Sequence, residues 1–148
     1  INRVSLGVQS LQNNVLQHIG RVHRVDDIHD AISMLQSFGD RLQYSMDLIS
    51  GLPGVSLAEW ADTLETVVRD FHPNHLSIYD LQVEKGTVFG KWYPNADLDE
   101  EIGGSRAPAP PAAATTMPSI PNDPAGNLTL PSPAECAYMY KYASGYLR

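Results

Sequence analysis

The sequence predicts an α/β fold in which parallel strands alternate with helices. Three short segments carry apolar residues in strand-like patterns: 2–9, 44–49 and 76–81. Helical patterns separate these segments, and such alternation favours a parallel sheet with right-handed crossovers. A strand, a tight turn and a capped helix also follow one another directly over residues 44–59, which is the order of a β/α unit.

The first strand, 2–9, alternates valine and leucine with polar residues or glycine, the period of a strand with one buried face. A short helix is predicted over about 11–19 and should end at Gly20. A second helix is predicted over about 26–38, where apolar residues recur at helical spacing.

The central strand, about 44–49, runs into a turn rich in glycine and proline at 50–54. A Ser-x-x-Glu capping box at 56–59 then opens a helix. This helix has the clearest amphipathic period in the chain, so we expect it to bury Trp60 and Leu64 against the sheet.

The composition changes from about Pro94. Eight of the eleven prolines lie between Pro108 and Pro133, with small residues between them, and such a segment buries too little apolar surface to offset its ordering. We expect three parts: a compact region over 1–93, a flexible Pro/Ala-rich insertion over 94–131, and a C-terminal helical segment over 132–148.

A capped helix is predicted over about 133–147. It carries Tyr138, Tyr142 and Tyr146 at four-residue spacing. We interpret this tyrosine stripe as a packing face rather than a cofactor site.

The whole-chain composition excludes several classes of function. The net charge of −7 argues against broad attraction to nucleic acid or an anionic membrane, and no apolar run is long enough to span a bilayer. The single cysteine, Cys136, excludes an internal disulfide and suits an intracellular, reducing compartment, whether cytoplasm, mitochondrion or plastid. Because Ile1 already lies in a strand pattern, we expect a piece of a longer protein.

Several polar residues are predicted to meet where the parallel strands end. They are Gln9, Asp47 with the turn after it, and Asp80 or Gln82; Arg21, after a short helix, could reach the same edge. A carboxylate for ribose hydroxyls, an amide and an arginine for a ligand carboxylate together suit a nucleoside joined to an amino acid. Asp47 itself has two interpretations, a ligand-binding residue or a structural aspartate satisfied by backbone amides.

Other candidate sites are weaker. His72 and His75 have a spacing found in metal sites, but Pro73 lies between them and no third ligand is near in the sequence, so surface histidines are favoured. For His23 a structural and a functional role are equally open. The 51–54 turn lacks the residues of a phosphate loop.

Four motifs occur in the order and spacing of one family: Asn-Arg-Val-Ser-Leu-Gly-Val-Gln-Ser at 2–10, Gly-Arg-Val-His at 20–23, Asp-Leu-Ile-Ser-Gly-Leu-Pro-Gly at 47–54 and His-Leu-Ser-Ile-Tyr at 75–79. With these motifs the sequence resembles the radical S-adenosylmethionine proteins related to oxygen-independent coproporphyrinogen III oxidase. The Gly-Arg-x-His connector and the segment 83–89 look closer to the haem-chaperone (HemW) branch than to the decarboxylase.

The resemblance implies a partial (β/α) barrel of six parallel strands, of which this chain looks like strands four to six. It also implies that S-adenosylmethionine binds beside a [4Fe–4S] cluster, which cleaves it reductively. By motif, Gln9 and Asp47 would contact the ribose, Arg21 the methionine carboxylate, and Gln82 would lie near the adenine.

The family's three-cysteine cluster loop does not occur in this chain, so we expect the cluster ligands to lie outside it and the segment alone to be inactive. No catalytic residue or metal ligand is assigned here. The resemblance implies a haem chaperone that binds S-adenosylmethionine, the cluster and haem and acts on a haem-acceptor protein. The alternative is oxidative decarboxylation of coproporphyrinogen III, and a weaker one is an unrelated β/α binding domain.

Overall fold

The computed structural model describes residues 2–93 and 128–147. Its chain divides into two compact units, Ile1–Leu81 with Pro124–Arg148 and, separately, Gln82–Asp123. Most of the predicted insertion, 94–131, therefore lies outside the described residues.

The order of elements matches the predicted alternation of strands and helices. The strands and helices are β1 (Arg3–Gln9), α1 (Asn13–His18), α2 (Val25–Gln36), β2 (Gln43–Ser50), α3 (Leu57–Thr66), β3 (His75–Asp80), α4 (Val88–Trp92) and α5 (Pro133–Tyr146). A 3-10 turn, Gly39–Arg41, precedes β2, and a π-helical turn, Val67–Phe71, extends α3. No helix among the described residues is long and apolar enough to cross a membrane.

The three strands form one parallel sheet in the order β1-β2-β3, which confirms the predicted α/β class. Parallel neighbours need a crossover, and the helices between the strands supply it. Because β2 pairs on both sides, its Gln43–Ser50 segment is the centre of the sheet.

One face of the sheet is covered by helices. Met46 and Leu48 of β2 are fully buried on that face, and Leu64 of α3 is fully buried with them. Trp60 is 2% exposed, so the predicted burial of Trp60 and Leu64 is confirmed. Side chains two residues apart on a strand share a face, which leaves Asp47, between Met46 and Leu48, on the opposite face.

Helix α5 packs against α3. Met139 is fully buried and Ala143 is 3% exposed, and the indole N–H of Trp60 donates to the Met139 carbonyl at 3.0 Å. A buried indole N–H needs such a partner, so this bond fixes the two helices side by side.

The prediction that the tyrosine stripe forms the packing face of α5 was wrong. Tyr138, Tyr142 and Tyr146 are 60%, 39% and 41% exposed, whereas Met139 and Ala143 face the core. The tyrosines flank the buried face instead of forming it, and the rings of Tyr142 and Tyr146 stack at a centroid distance of 5.7 Å. The small Ala143 fits closely beside α3, where a tyrosine ring would not.

Both predicted capping boxes are present. The Ser56 hydroxyl accepts from the Glu59 N–H at 3.3 Å, and the Glu59 carboxylate accepts from the Ser56 N–H at 2.8 Å. Ser132 and Glu135 make the same pair of bonds at the start of α5. In each box the bonds from the serine lower the pKa of the glutamate below its usual 4.5.

The second unit is short in its described part. Thr87 caps α4, since its hydroxyl accepts from the Gly90 N–H at 2.9 Å. The Phe89 ring lies 5.0 Å from Tyr93 and 5.9 Å from Trp92, measured between centroids.

Candidate functional site

The candidate site lies where the parallel strands end. Strands β1, β2 and β3 end at Gln9, Ser50 and Asp80, and parallel strands share one C-terminal edge. Open α/β sheets bind ligands at this edge. The first unit therefore brings Gln9 and Asp47 to the same end of the sheet, as predicted.

The face of the sheet that carries Asp47 is polar and only partly covered. The residues that share this face are Ser5 and Gly7 on β1, Ser45, Asp47 and Ile49 on β2, and His75, Ser77 and Tyr79 on β3. Asp47 is half-buried there, and Tyr79 is 57% exposed. This face offers hydroxyl, carboxylate and aromatic groups to a ligand.

The Asp47 carboxylate is partly satisfied. Its Oδ2 accepts a hydrogen bond from the Ser5 hydroxyl at 3.2 Å. Among the described residues no backbone N–H donates to Asp47, and its one hydrogen-bond partner there is the hydroxyl of Ser5. The second oxygen, Oδ1, is left for another donor, since a carboxylate accepts about four hydrogen bonds.

A bulge in β1 turns the side chain of Gln9 toward the face of the sheet that carries Asp47. Gly7 is the partner of Asp47 and Gln9 the partner of Leu48, so β1 contains one extra residue between these two pairs. Gln9 has a φ of +67°, in the left-handed region that non-glycine residues seldom adopt. Its side chain turns back over the strand and is 9% exposed.

Gly7 provides the space for this amide. A β-carbon at Gly7 would lie 2.8 Å from Nε2 of Gln9, closer than such atoms approach in folded proteins. Since Gly7 is directly opposite Asp47, the amide of Gln9 lies on the same face of the sheet as the carboxylate of Asp47. The two groups can donate to and accept from one pair of adjacent hydroxyls.

The turn after β2 is held by two other segments. The Ser50 hydroxyl bonds the Asp80 carboxylate, and the Gly54 N–H donates to the Thr129 carbonyl at 2.8 Å. Leu128 packs on Gly54, where a β-carbon would lie 2.7 Å from its methyl group. The start of the C-terminal segment thus fixes the turn that follows Asp47.

Cys136 lies beside this turn. Its Sγ would be 3.3 Å from a β-carbon at Gly51, and the thiol is half-buried. Burial, followed by the nearby Asp80 and Glu135 carboxylates, raises the pKa of Cys136. The thiol is therefore protonated at neutral pH and poorly suited to nucleophilic or ligand chemistry.

The loop of Arg21 lies at the C-terminal end of the strands. Strand β1 ends there, and α2 must begin there in order to return the chain to the start of β2. The Arg21 N–H donates to the Leu16 carbonyl at 2.8 Å, which ends α1, and its side chain is exposed. The structure places Arg21 near this edge but not in contact with Asp47. Nε2 of His23 is buried without a hydrogen-bond partner among the described residues.

The remaining predicted residues are Gln82, His72 and His75. Gln82 is exposed and belongs to the second unit, Gln82–Asp123, which is described separately. His75 begins β3 and His72 precedes it with a φ of +48°, so both lie at the edge opposite to Gln9. Among the described residues no group of three His, Cys, Asp or Glu side chains could hold a metal ion.

Sequence reasoning missed Ser5, Gly7 and Tyr79. The alternation of β1 places Ser5 and Gly7 on its polar face, and that signal was available. Their position against Asp47 depends on the register between strands that are about forty residues apart, which no local pattern encodes.

Comparison with known proteins identifies relatives of this fold and site. No family model matches the chain. Over 98 residues, 66% of this chain, the sequence is 43% identical to the Heme chaperone HemW of Synechocystis sp., and the match covers 23% of that protein. The Heme chaperone HemW of Escherichia coli is 36% identical over 102 residues, which are 69% of this chain and 26% of that protein.

Two solved structures share the fold. The coproporphyrinogen III oxidase (HemN) of Escherichia coli, described as a radical SAM enzyme, aligns with a TM-score of 0.65 at 22% identity, covering 99% of this chain and 26% of its own. The Elp3 protein of the archaeon Methanocaldococcus infernus aligns with a TM-score of 0.57 at 31% identity, covering 64% of this chain and 22% of its own.

These relatives and the parallel sheet define a radical S-adenosylmethionine protein with part of a TIM-barrel-like fold. The chain belongs to the radical S-adenosylmethionine family of the haem chaperone HemW, and it shares the fold of the coproporphyrinogen III oxidase. It spans about a quarter of the length of the curated relatives it matches.

Proposed function

We propose that this chain forms part of the S-adenosylmethionine site of a HemW-like haem chaperone, whose intact form also binds a [4Fe–4S] cluster and haem. The 43% and 36% identities to two HemW proteins support this proposal. The one cysteine of the chain cannot form a three-thiolate cluster site, so the cluster ligands belong to other parts of the intact protein.

One observation carries the proposal. Gln9 adopts a left-handed backbone and turns its amide over Gly7, next to a carboxylate with an oxygen left for another donor. Such strained residues cost roughly 1–3 kcal/mol and cluster at ligand sites. The residues present therefore fit the ribose of S-adenosylmethionine, whose adjacent hydroxyls need one strong acceptor and one mixed donor and acceptor.

Four residues of this chain would each contact a different part of the cofactor. Asp47 would accept from a ribose hydroxyl, Gln9 would bond the neighbouring hydroxyl, and Arg21 would pair with the methionine carboxylate. Gln82, directly after the last strand, would lie near the adenine. When bound, the cofactor supplies the carbon–sulfur bond that radical S-adenosylmethionine proteins cleave.

The alternative is oxidative decarboxylation of coproporphyrinogen III. The 22% identity to the Escherichia coli oxidase supports the fold but not that reaction. The archaeal Elp3 structure shares the fold at 31% identity, so this fold does not by itself select haem as the ligand. The higher identity to HemW proteins favours the chaperone.

Two assays on the full-length, cluster-loaded protein distinguish these functions. A haem chaperone should bind haem in a saturable titration and transfer it to an acceptor protein, without consuming coproporphyrinogen III. Decarboxylation of coproporphyrinogen III with no saturable haem binding would favour the oxidase.

Asp47→Asn tests the ribose contact. The substitution keeps the shape but removes the charge and turns one acceptor into a donor. One hydroxyl is then poorly paired, so we expect S-adenosylmethionine to bind about 5- to 150-fold more weakly, which is roughly 1–3 kcal/mol.

Calorimetric titration of the full-length protein measures that change, and Asp30→Asn, an exposed carboxylate on α2, serves as the matched control. A lowered unfolding midpoint with unchanged affinity would show that Asp47 is a structural residue instead.

A further inference from the structure

The Ser5 hydroxyl is the one side-chain donor to Asp47 among the described residues, at 3.2 Å from Oδ2. Ser5 lies two residues before Gly7 on β1 and is therefore diagonal to Asp47 on the same face. The serine is exposed, so the bond buries little surface. Its main consequence is local, because it selects one orientation of the carboxylate.

An aspartate needs such a partner to present a defined oxygen. The terminal torsion of aspartate is broad and nearly two-fold, so an exposed carboxylate samples many orientations. At 3.2 Å the bond from Ser5 is longer than most hydroxyl–carboxylate bonds, but it still favours one orientation of the carboxylate. With Oδ2 held by Ser5, the carboxylate presents Oδ1 in a fixed direction, and ligand binding no longer has to order it.

Ser77 provides a natural comparison. It is directly opposite Asp47 on β3, as Gly7 is on β1, and its side chain lies on the same face. Among the described residues, no hydrogen bond joins the Ser77 hydroxyl to Asp47. Asp47 therefore has one serine near it on each neighbouring strand, Ser5 on β1 and Ser77 on β3, but it bonds only the first. The fold thus engages one of two neighbouring serines.

We propose that Ser5 is a positioning residue of this site, whose hydroxyl holds Asp47 Oδ2 so that Oδ1 receives a ribose hydroxyl of the ligand. Ser5 itself does not touch the ligand. The inference rests on the proposed binding of S-adenosylmethionine at Asp47, and it adds a residue to which the sequence motifs gave no role.

The test uses Ser5→Ala, Asp47→Ala and the double variant in the full-length, cluster-loaded protein. Binding of S-adenosylmethionine and of its 2′,3′-dideoxy analogue is measured by calorimetry, with unfolding midpoints recorded alongside. Since one hydrogen bond contributes roughly 0.5–1.5 kcal/mol, we expect Ser5→Ala to weaken S-adenosylmethionine binding by roughly 2- to 12-fold.

Two further results are expected if Ser5 acts through Asp47. In the Asp47→Ala background, Ser5→Ala should change the affinity by less than about two-fold, because coupled residues are not additive. The dideoxy analogue should bind the wild-type and Ser5→Ala proteins equally. Ser33→Ala, the matched control at an exposed serine on α2, should leave the affinity for S-adenosylmethionine unchanged.

The outcomes separate the two proposals. If Asp47→Ala weakens binding but Ser5→Ala does not, the positioning role is wrong and the ribose contact stands. If Asp47→Ala leaves binding unchanged, the ribose contact itself is wrong. An equal effect of Ser5→Ala with and without Asp47, or an equal effect of Ser33→Ala, would overturn the positioning role.

Discussion

Gln9 shows how one residue can set the geometry of a site. A left-handed φ at a non-glycine residue costs roughly 1–3 kcal/mol. Gln9 has a φ of +67° at the last pair of β1, directly after the bulge. Its side chain therefore leaves the alternating pattern of the strand, and its amide lies over Gly7. Bulges near active sites commonly redirect a side chain in this way.

Gly7→Ala tests the position of that amide. The added β-carbon would lie 2.8 Å from Gln9 Nε2, so the flexible end of the glutamine must move while the backbone can stay. Alanine is also better than glycine inside a strand by roughly 0.5–1 kcal/mol. We therefore expect the unfolding midpoint to stay or rise while S-adenosylmethionine binds roughly 2- to 12-fold more weakly.

Calorimetric titration and thermal unfolding of the full-length protein measure both quantities. Gly145→Ala is the control, since among the described residues the added carbon would meet no atom within 4 Å apart from its chain neighbours and its own helix backbone. Unchanged affinity in Gly7→Ala would mean that the Gln9 amide does not contact the ligand.

The sequence predicted Gln9 and Asp47 as site residues but could not predict how they meet. The alternation of β1 continues through Gly7, Val8 and Gln9 without a sign of a bulge. The bulge depends on pairing with β2, about forty residues away in the chain, and such register information is not local.

At the scale of the elements, local signals were the most reliable. The capping boxes at Ser56 and Ser132 were predictable because their bonds join residues only three apart. The packing face of α5 was not predictable, because it depends on the partner helix. Trp60 of α3 selects the face with Met139 and Ala143, although the tyrosines are larger.

Leu64→Ala tests the buried face of α3. Leu64 is fully buried, so its truncation should cost roughly 2–5 kcal/mol of unfolding free energy, from lost transfer energy and the cavity left behind. Leu57 begins the same helix and is 37% exposed, which makes Leu57→Ala a matched control near the 0.5 kcal/mol typical of surface positions. Denaturant unfolding of the full-length protein measures both, and equal small effects would contradict the assignment of this face.

At the scale of the whole molecule, the unpaired sides of the sheet indicate which strands the rest of the protein must supply. In the described residues β2 is paired on both sides, whereas β1 and β3 each pair with β2 alone. Unpaired strand edges are avoided in folded proteins, and a barrel removes them by further pairing. The family relationship implies six strands, of which these are the last three, so the outer side of β1 should receive a preceding strand.

Hydrogen exchange of the full-length protein tests this arrangement. The β1 amides that do not bond to β2 should exchange as slowly as amides of β2, because another strand accepts from them, and protection reports such bonds directly. The amide of Val22, whose side chain is 95% exposed in the loop before α2, provides a fast reference within the same sample. Exchange of those β1 amides at the rate of Val22 would mean that β1 remains an edge in the intact protein. The Asp47 face would then stay open to solvent instead of lining a barrel.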